Sequence, residues 1–283
     1  MLYLVGTPIG NLGDISSRAI EILEQVDFIA CEDTRVTGIL LKSLEIENKK
    51  LISYHEHNKV SKGLEIADLL KQGFNVAQVS DAGMPAVSDP GEDLVALCIE
   101  QGLEFTVVPG PVAAVTALVM SGLSTRYYHF EGFLPNTGSD RKKRLKKLSD
   151  YEETIVLYEA PHRLRKLISE LKAEGFGECR ASFCRELTKK YEEVVRMTVD
   201  EADSYYESNE PRGEFVVCLE PSVKKAPVFD DAYIENEILK MRDSGMPVKK
   251  IAEILSQDTG TSKKEMSARV LNLLKLKDKV EGS

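Results

Sequence analysis

Between residues 2 and 122, short apolar runs alternate with helical patterns at a nearly constant pitch, and no other feature restricts the chain so strongly. "LYLVG", "FIACE", "LISYHE", "NVAQVS" and "EFTVVPG" read as buried strands. The stretches between them carry helical spacing: "ISSRAIEILEQV" places Ile15, Ala19, Ile22, Leu23 and Val26 on one face. Strand–helix alternation of this kind is the mark of an α/β layer with a mostly parallel sheet, because parallel neighbours need a crossover. A second α/β unit opens at "YHFEGFLP". It continues through the basic helix "DRKKRLKKLSD", the strand "ETIVLYE", the helix "HRLRKLISELKAEG" and the strand "ECRASFCREL". "EEVVRMTV" and "GEFVVCLEP" follow without a long intervening helix before each strand, so this sheet is expected to be mixed.

The predicted organisation is an N-terminal α/β domain over 1–122, a second α/β domain over 123–222, a linker over 223–231 and a helical domain over 232–283. In the last, three helical segments are separated by glycine-bearing turns, a helix-turn-helix-like arrangement that serves equally as a docking cap or a nucleic-acid reader. The 283 residues allow this many units, and a hydrophobic fraction of 42% supports real cores. Five scattered cysteines without a CxxC pair indicate a reducing compartment. No apolar run is long enough to span a bilayer, and a cytoplasmic protein is expected.

In an open α/β sheet, ligands bind beyond the carboxyl ends of the strands. Three unusual loops occupy such positions: "GTPIGNLGD", "SDAGMPAVSDPG" and "PGPVAA". The first is neither GxGxxG nor a Walker loop. In the third, Pro109 and Pro111 fix φ while Gly110, Ala113 and Ala114 leave bare backbone, which suits a flat ring or simply close helix–strand packing. In the second, Asp81 and Asp89 are hydrogen-bond acceptors or turn and cap residues. For Asp89, ahead of Pro90, Gly91 and Glu92, the cap is the better reading. His55 and His57 alternate on one strand without a third ligand, so no metal is expected.

The ordered set "VGTPIGNLGDIS", "CEDTR", "SYHEHN", "SDAGMPAVSDPG", "VPGPVAA", "YEAPHR" and "CRELTKKYEEV" resembles the tetrapyrrole methylase superfamily from residue 2 to about residue 220. Within it, the set is most similar to the ribosomal branch, which 2′-O-methylates the ribose of a cytidine in the decoding region of small-subunit (16S) rRNA. The resemblance implies S-adenosylmethionine bound between two α/β domains, no metal, a homodimer, and small-subunit rRNA, within the assembled subunit, as substrate. Carried over residue by residue, it puts Pro8, Ser80, Asp81, Ala82, Gly83, Pro85, Val112, Ala113, Tyr158 and Glu159 around the donor. The porphyrinoid-modifying members carry a GGDP-type loop where this chain has "SDAGMP".

A ribose hydroxyl is a weak nucleophile, so a base or a cation is expected to assist it. Glu159, Asp33 and His162 are the candidate bases, with Glu32 and Glu186 beside them, and Lys189 is the candidate cation. For "CEDTR" the alternative is a helix cap at Asp33 with Arg35 in an ion pair. The net charge of −9 argues against general nucleic-acid coating, yet "RKKRLKK" packs six basic residues into seven. Arg35, Arg141, Lys142, Lys143, Arg144, Arg163 and Arg185 are therefore the expected RNA contacts, and Tyr127, Tyr128 and Phe130 are candidate stacking residues. The competing functions are a porphyrinoid-type small-molecule methyltransferase and a non-catalytic RNA-binding module.

Overall fold

The computed structural model describes residues 1–222 and 231–281. The expected linker lies outside the described residues apart from Asp231. The chain divides into two compact units, Met1–Ser222 and Val223–Ser283.

The first unit holds two five-stranded sheets. Strands β1 (Leu2–Val5), β2 (Phe28–Cys31), β3 (Lys50–Ser53), β4 (Val76–Val79) and β5 (Phe105–Val108) form the first, in the order β3-β2-β4-β1-β5. Every pairing in it is parallel. Helices α1 (Ser17–Gln25), α2 (Thr34–Ser43), α3 (Lys59–Lys71) and α4 (Glu92–Gln101) are its four crossovers, and α5 (Ala113–Ser121) leads from β5 to the second sheet. β4, flanked by β2 and β1, has all four side chains buried, which is why "VAQV" shows no alternation.

The second sheet runs β6-β7-β10-β8-β9, from β6 (Tyr128–Phe133), β7 (Thr154–Glu159), β8 (Arg180–Arg185), β9 (Glu193–Thr198) and β10 (Phe215–Leu219). β6 and β7 are parallel and the other three pairings are antiparallel, giving the expected mixed sheet. Helices α6 (Gly138–Leu148) and α7 (Pro161–Ala173) follow β6 and β7. One helix departs from the sequence reading: α8 (Val199–Ser208) stands between β9 and β10. Its start is fixed by a capping box in which Thr198 Oγ1 accepts from Glu201 N and Glu201 Oε2 accepts from Thr198 N.

The two sheets are joined through α5. Its Ala114, Ala117 and Leu118 pack with Val156, Cys184, Val216 and Cys218 of the second sheet and Ile9 of the first loop in one apolar cluster. The second unit is a three-helix assembly of α9 (Asp231–Asp243), α10 (Val248–Thr259) and α11 (Lys263–Glu281), closed around Ile234, Ile238, Ile251, Leu255, Met266 and Val270. Among the described residues no helix is long and apolar enough to cross a membrane.

Because β4, β1 and β5 are neighbours, the loops that leave their carboxyl ends are neighbours too. Thr7 N donates to Gly83 O (2.9 Å) and Gly83 N donates to Thr7 O (3.2 Å), pinning the first loop to the second. Gly110 N donates to Met84 Sδ (3.2 Å), pinning the third. A Cβ on Gly6 would lie 2.6 Å from Met84 Sδ and 2.7 Å from Gly110 Cα. Gly6→Ala is therefore expected to destabilise the protein by about 1–3 kcal/mol, since backbone cannot rotate out of the way. In contrast, Gly38→Ala in α2, where an added Cβ meets nothing within 4 Å, is expected to gain about 0.5–1 kcal/mol. Urea unfolding of the two variants measures both signs.

Candidate functional site

The pinned loops form one wall of a cavity of about 350 Å³, and the carboxyl end of β7, the 184–187 stretch and β10 form the other. From the first side come Ile9, Asp81, Ala82, Gly83, Asp89, Val112 and Ala113. Tyr158, Glu159, Leu187, Glu214 and Phe215 come from the second. The walls are thus mainly apolar, with carboxylates as the convergent polar groups, a composition suited to a ligand that combines a flat ring with positive charge.

Of the residues expected around a donor, Asp81, Ala82, Gly83, Val112, Ala113, Tyr158 and Glu159 line this cavity. Pro8, Ser80 and Pro85 do not. Ser80 is buried behind the wall, where its carbonyl accepts from Thr7 Oγ1 (3.2 Å), and Pro85 is likewise buried. Tyr158 is held in place because its hydroxyl accepts from Ala114 N (3.2 Å) at the start of α5.

Asp89 is a correction to the sequence reading. The N-cap of α4 is Gly91, at φ 143°, and no side chain caps that helix. The extra turn at Gly91 releases Asp89 from the cap and leaves it on the cavity wall. Burial, and after it the Glu32 carboxylate, pushes its pKa up to about 6. Glu32 is itself raised, by burial first and then by Asp81. Asp81 accepts from Asp33 N (3.1 Å), so the "CEDTR" and "SDAG" loops are tied together at this acidic end.

Asp33, expected as a base, is a helix cap. Its carboxylate accepts from Arg35 N (2.8 Å) and pairs with the Arg35 guanidinium (2.5 Å), which lowers its pKa to about 2. A group that holds its proton so weakly is a poor base at neutral pH, and Asp33 does not line the cavity. His162 is exposed on the first turn of α7 and is also absent from the lining.

Glu159 ends β7 and is 2% exposed. Its Oε1 accepts from Ala160 N (2.9 Å) and from Arg163 (2.5 Å), while Oε2 lies 3.7 Å from Arg141 Nη2 and has no hydrogen-bond partner. Lys189 sits behind the opposite edge, paired with Glu186 (3.1 Å) and with the cavity-lining Glu214 (2.8 Å). Burial lowers its pKa, but these two partners outweigh that and the net direction is up, so it stays charged. Glu186 and Thr188 on either side of Leu187 have positive φ, 51° and 65°; the loop that carries Lys189 is a strained turn.

The basic set divides. Arg141 is 2% exposed and does not face solvent: its guanidinium bonds Glu170 (2.7 Å) and Pro135 O (2.9 Å) from the buried face of α6. Arg163 is consumed by Glu159 and Asn136. Arg185 pairs with Glu193 (3.0 Å) and Arg144 with Glu131 (2.5 Å). Lys142 and Lys143 are exposed on the outer face of α6, and so are Lys146 and Lys147, which complete the same face. Arg35 is exposed but already paired with Asp33. Tyr127 and Tyr128 are exposed, whereas Phe130 packs edge-on against Tyr158 with ring centroids 5.2 Å apart. No cluster able to hold a metal ion occurs among the described residues.

The profile of the tetrapyrrole (corrin/porphyrin) methylases matches residues 1–203. A Synechocystis protein named ribosomal RNA small subunit methyltransferase I is 40% identical over 96% of this chain and 98% of its own length. A Bacillus subtilis protein of the same name is 47% identical over 78% of this chain and 75% of its own. Among solved structures, a cobalt precorrin-4 methyltransferase of cobalamin biosynthesis superposes with a TM-score of 0.60 at 20% identity, covering 77% of this chain and 94% of that one. The uroporphyrin-III C-methyltransferase of Thermus thermophilus, solved with S-adenosylhomocysteine, gives 0.55 at 18% identity over 77% and 96%. With two α/β sheets, a cavity between them and a family match over most of its length, the chain belongs to the tetrapyrrole methylase family.

Proposed function

We propose that this protein is an S-adenosylmethionine-dependent methyltransferase that 2′-O-methylates the ribose of a cytidine in small-subunit rRNA, in the cytoplasm and as a homodimer. In this reading residues 1–122 and 123–222 are the two lobes around the cofactor, and 232–283 is an appended helical domain. The observation that carries it is the near end-to-end similarity to the Synechocystis small-subunit rRNA methyltransferase. The exposed lysines of α6 support an RNA acceptor over a porphyrinoid one, because a porphyrinoid needs no phosphate-binding face.

The cavity fits the cofactor. Apolar walls from Ile9, Val112, Ala113 and Phe215 accept a ring, and Asp81 and Asp89 place negative charge where a cation is to be held. When bound, S-adenosylmethionine supplies an electrophilic methyl group on a positively charged sulfur, and transfer leaves the electron pair of the broken carbon–sulfur bond on a neutral thioether. Asp89 and Asp81 favour the charged reactant over that neutral product. The pinned loops hold their backbone groups in fixed directions, which favours alignment of acceptor and donor. Glu159 Oε2, buried and without a donor, is proposed to take the proton of the ribose hydroxyl. Lys189 does not line the cavity, and from behind the lining Glu214, with which it pairs, it is proposed to act on the developing negative oxygen through its positive charge.

Ribose-methylation mapping of small-subunit rRNA from cells with and without this gene tests the reading: one 2′-O-methyl group is expected to disappear. An unchanged rRNA map, with transfer to a porphyrinoid instead, would reject it.

The acidic end predicts a pH dependence. Asp89 is protonated below about pH 6, and a cationic ligand stabilises its ionised form. Affinity for S-adenosylmethionine is therefore full above that pH and falls as pH drops through it, by at most about tenfold per unit. S-adenosylhomocysteine, lacking the sulfonium, is expected to show a shallower slope, and Asp89→Asn to flatten the slope for both. Calorimetry between pH 5 and 8 checks this.

For the RNA face, Lys142→Glu with Lys143→Glu and Lys146→Glu is expected to weaken subunit binding and reduce its salt dependence at unchanged cofactor affinity. Arg141→Glu, which buries an unpaired carboxylate against Glu170 and Glu159, is expected to unfold the protein instead. Binding isotherms at several salt concentrations, with circular dichroism for the fold, separate the two.

A further inference from the structure

Among the cavity-lining side chains to which the proposed chemistry gives no task is one exposed aromatic ring. Phe133, the last residue of β6, is 55% exposed although it lines the cavity and packs against Tyr158, with ring centroids 5.3 Å apart. Its direction is the result of a local irregularity. Phe130 pairs with Val156 and Phe133 with Tyr158, and the register slips by one residue between Phe130 and Gly132. In a regular strand, residues three apart point to opposite faces. Here the extra residue, Glu131, puts both phenylalanines against the same Tyr158 ring.

The bulge is built for this. Gly132 takes φ 67°, and a Cβ there would lie 2.9 Å from Ser88 Oγ on the cavity loop, so only glycine fits both the conformation and the space. Tyr158 does not yield, being held through its hydroxyl by Ala114 N. Glu131, the residue squeezed out, accepts from Arg144 of α6 through both oxygens (2.5 Å each). The same irregularity therefore turns an aromatic ring to the mouth of the cavity and fastens the lysine-bearing helix beside it.

We infer that Phe133 is the platform on which a nucleobase of the RNA acceptor stacks while its ribose enters the cavity. This rests on the rRNA reading above. An exposed aromatic face beside a phosphate-binding helix is the combination that single-stranded nucleic acid uses, because every base offers a π-face and the charged helix holds the backbone. The proposal makes Phe133 a positioning residue for the acceptor, separate from the groups that hold the methyl donor.

The test is steady-state kinetics on small ribosomal subunits lacking the ribose methyl group, combined with calorimetry of S-adenosylhomocysteine, for wild type, Phe133→Ala, Phe133→Leu and Phe133→Tyr. Loss of a base–aromatic stack corresponds to roughly a 5- to 150-fold effect. Ala and Leu are expected to raise KM for the subunit by that factor at unchanged S-adenosylhomocysteine affinity, and Tyr to restore it. Leu separates stacking from simple apolar cover, and an exposed position keeps all three variants foldable. A fall in S-adenosylhomocysteine affinity at unchanged subunit KM would overturn the proposal and make the ring a wall of the donor pocket. An unchanged KM in Ala, or rescue by Leu, would overturn it as well. Wild-type protein that binds S-adenosylhomocysteine but methylates no subunit removes the rRNA reading itself, and the platform with it.

Discussion

The contact of two bare backbones, Gly6 against Gly110, sets the geometry of everything above the first sheet. With no side chain at either position, the loops after β1 and β5 close to a distance at which Met84 can reach Gly110 N and Gly83 can pair with Thr7. Three loops that would otherwise move separately become one surface. A pocket built from main chain in this way keeps its hydrogen-bonding groups oriented before any ligand arrives, so little ordering remains to be done on binding. The prolines of "SDAGMPAVSDPG" and "PGPVAA" act in the same direction by narrowing the φ range of the unpinned positions.

The alternation that revealed the first sheet is legible because each parallel strand is short, apolar and separated by an amphipathic crossover. Nothing comparable announces α8: "VDEADSYYES" mixes acids and tyrosines. Its usable signal was the Thr198-x-x-Glu201 spacing of a capping box, a local cue that periodicity alone does not register. At the site, the residues carried by loop sequence fall on the cavity wall, whereas Pro8, Ser80 and Pro85 do not, since a motif names the loop but not which of its residues turn into the protein, and Ser80 and Pro85 are buried behind the wall. Asp89 was misread for a related reason. Asp-Pro-Gly ahead of a helix looks like a cap, but a glycine at φ 143° inserts a turn that points the carboxylate elsewhere.

Arg141 shows the limit of reading charge by density. Within "RKKRLKK" it is indistinguishable from its neighbours by type, yet it shares its helical phase with Leu145 and Leu148, and all three are buried. Phase, not composition, decides which side of α6 a basic residue serves. An arginine on the buried phase is tolerable because its guanidinium has Glu170, Glu159 and the Pro135 carbonyl to satisfy it; without them the desolvation cost would be prohibitive.

Charge is sorted in the same way across the first unit as a whole. The net charge of −9 hides a separation in which carboxylates gather in the cavity while lysines occupy the outer face of α6. Burial first, and repulsion among the carboxylates after it, raises Glu32 and Asp89, and a cation entering the cavity relieves the second of these. A polyanion approaching the same cavity would be repelled by those carboxylates unless the lysines outside took up its phosphates first. The order of electrostatic preference is thus written into position: a small cation inside, a polyanion along the rim. Arg144 joins the two regimes, since it binds Glu131 at the bulge with its guanidinium while standing on the basic helix. Arg163 and Lys189 pair with the cavity-lining Glu159 and Glu214 and so offset part of the cavity's negative charge, while Arg144 is held outside it by Glu131.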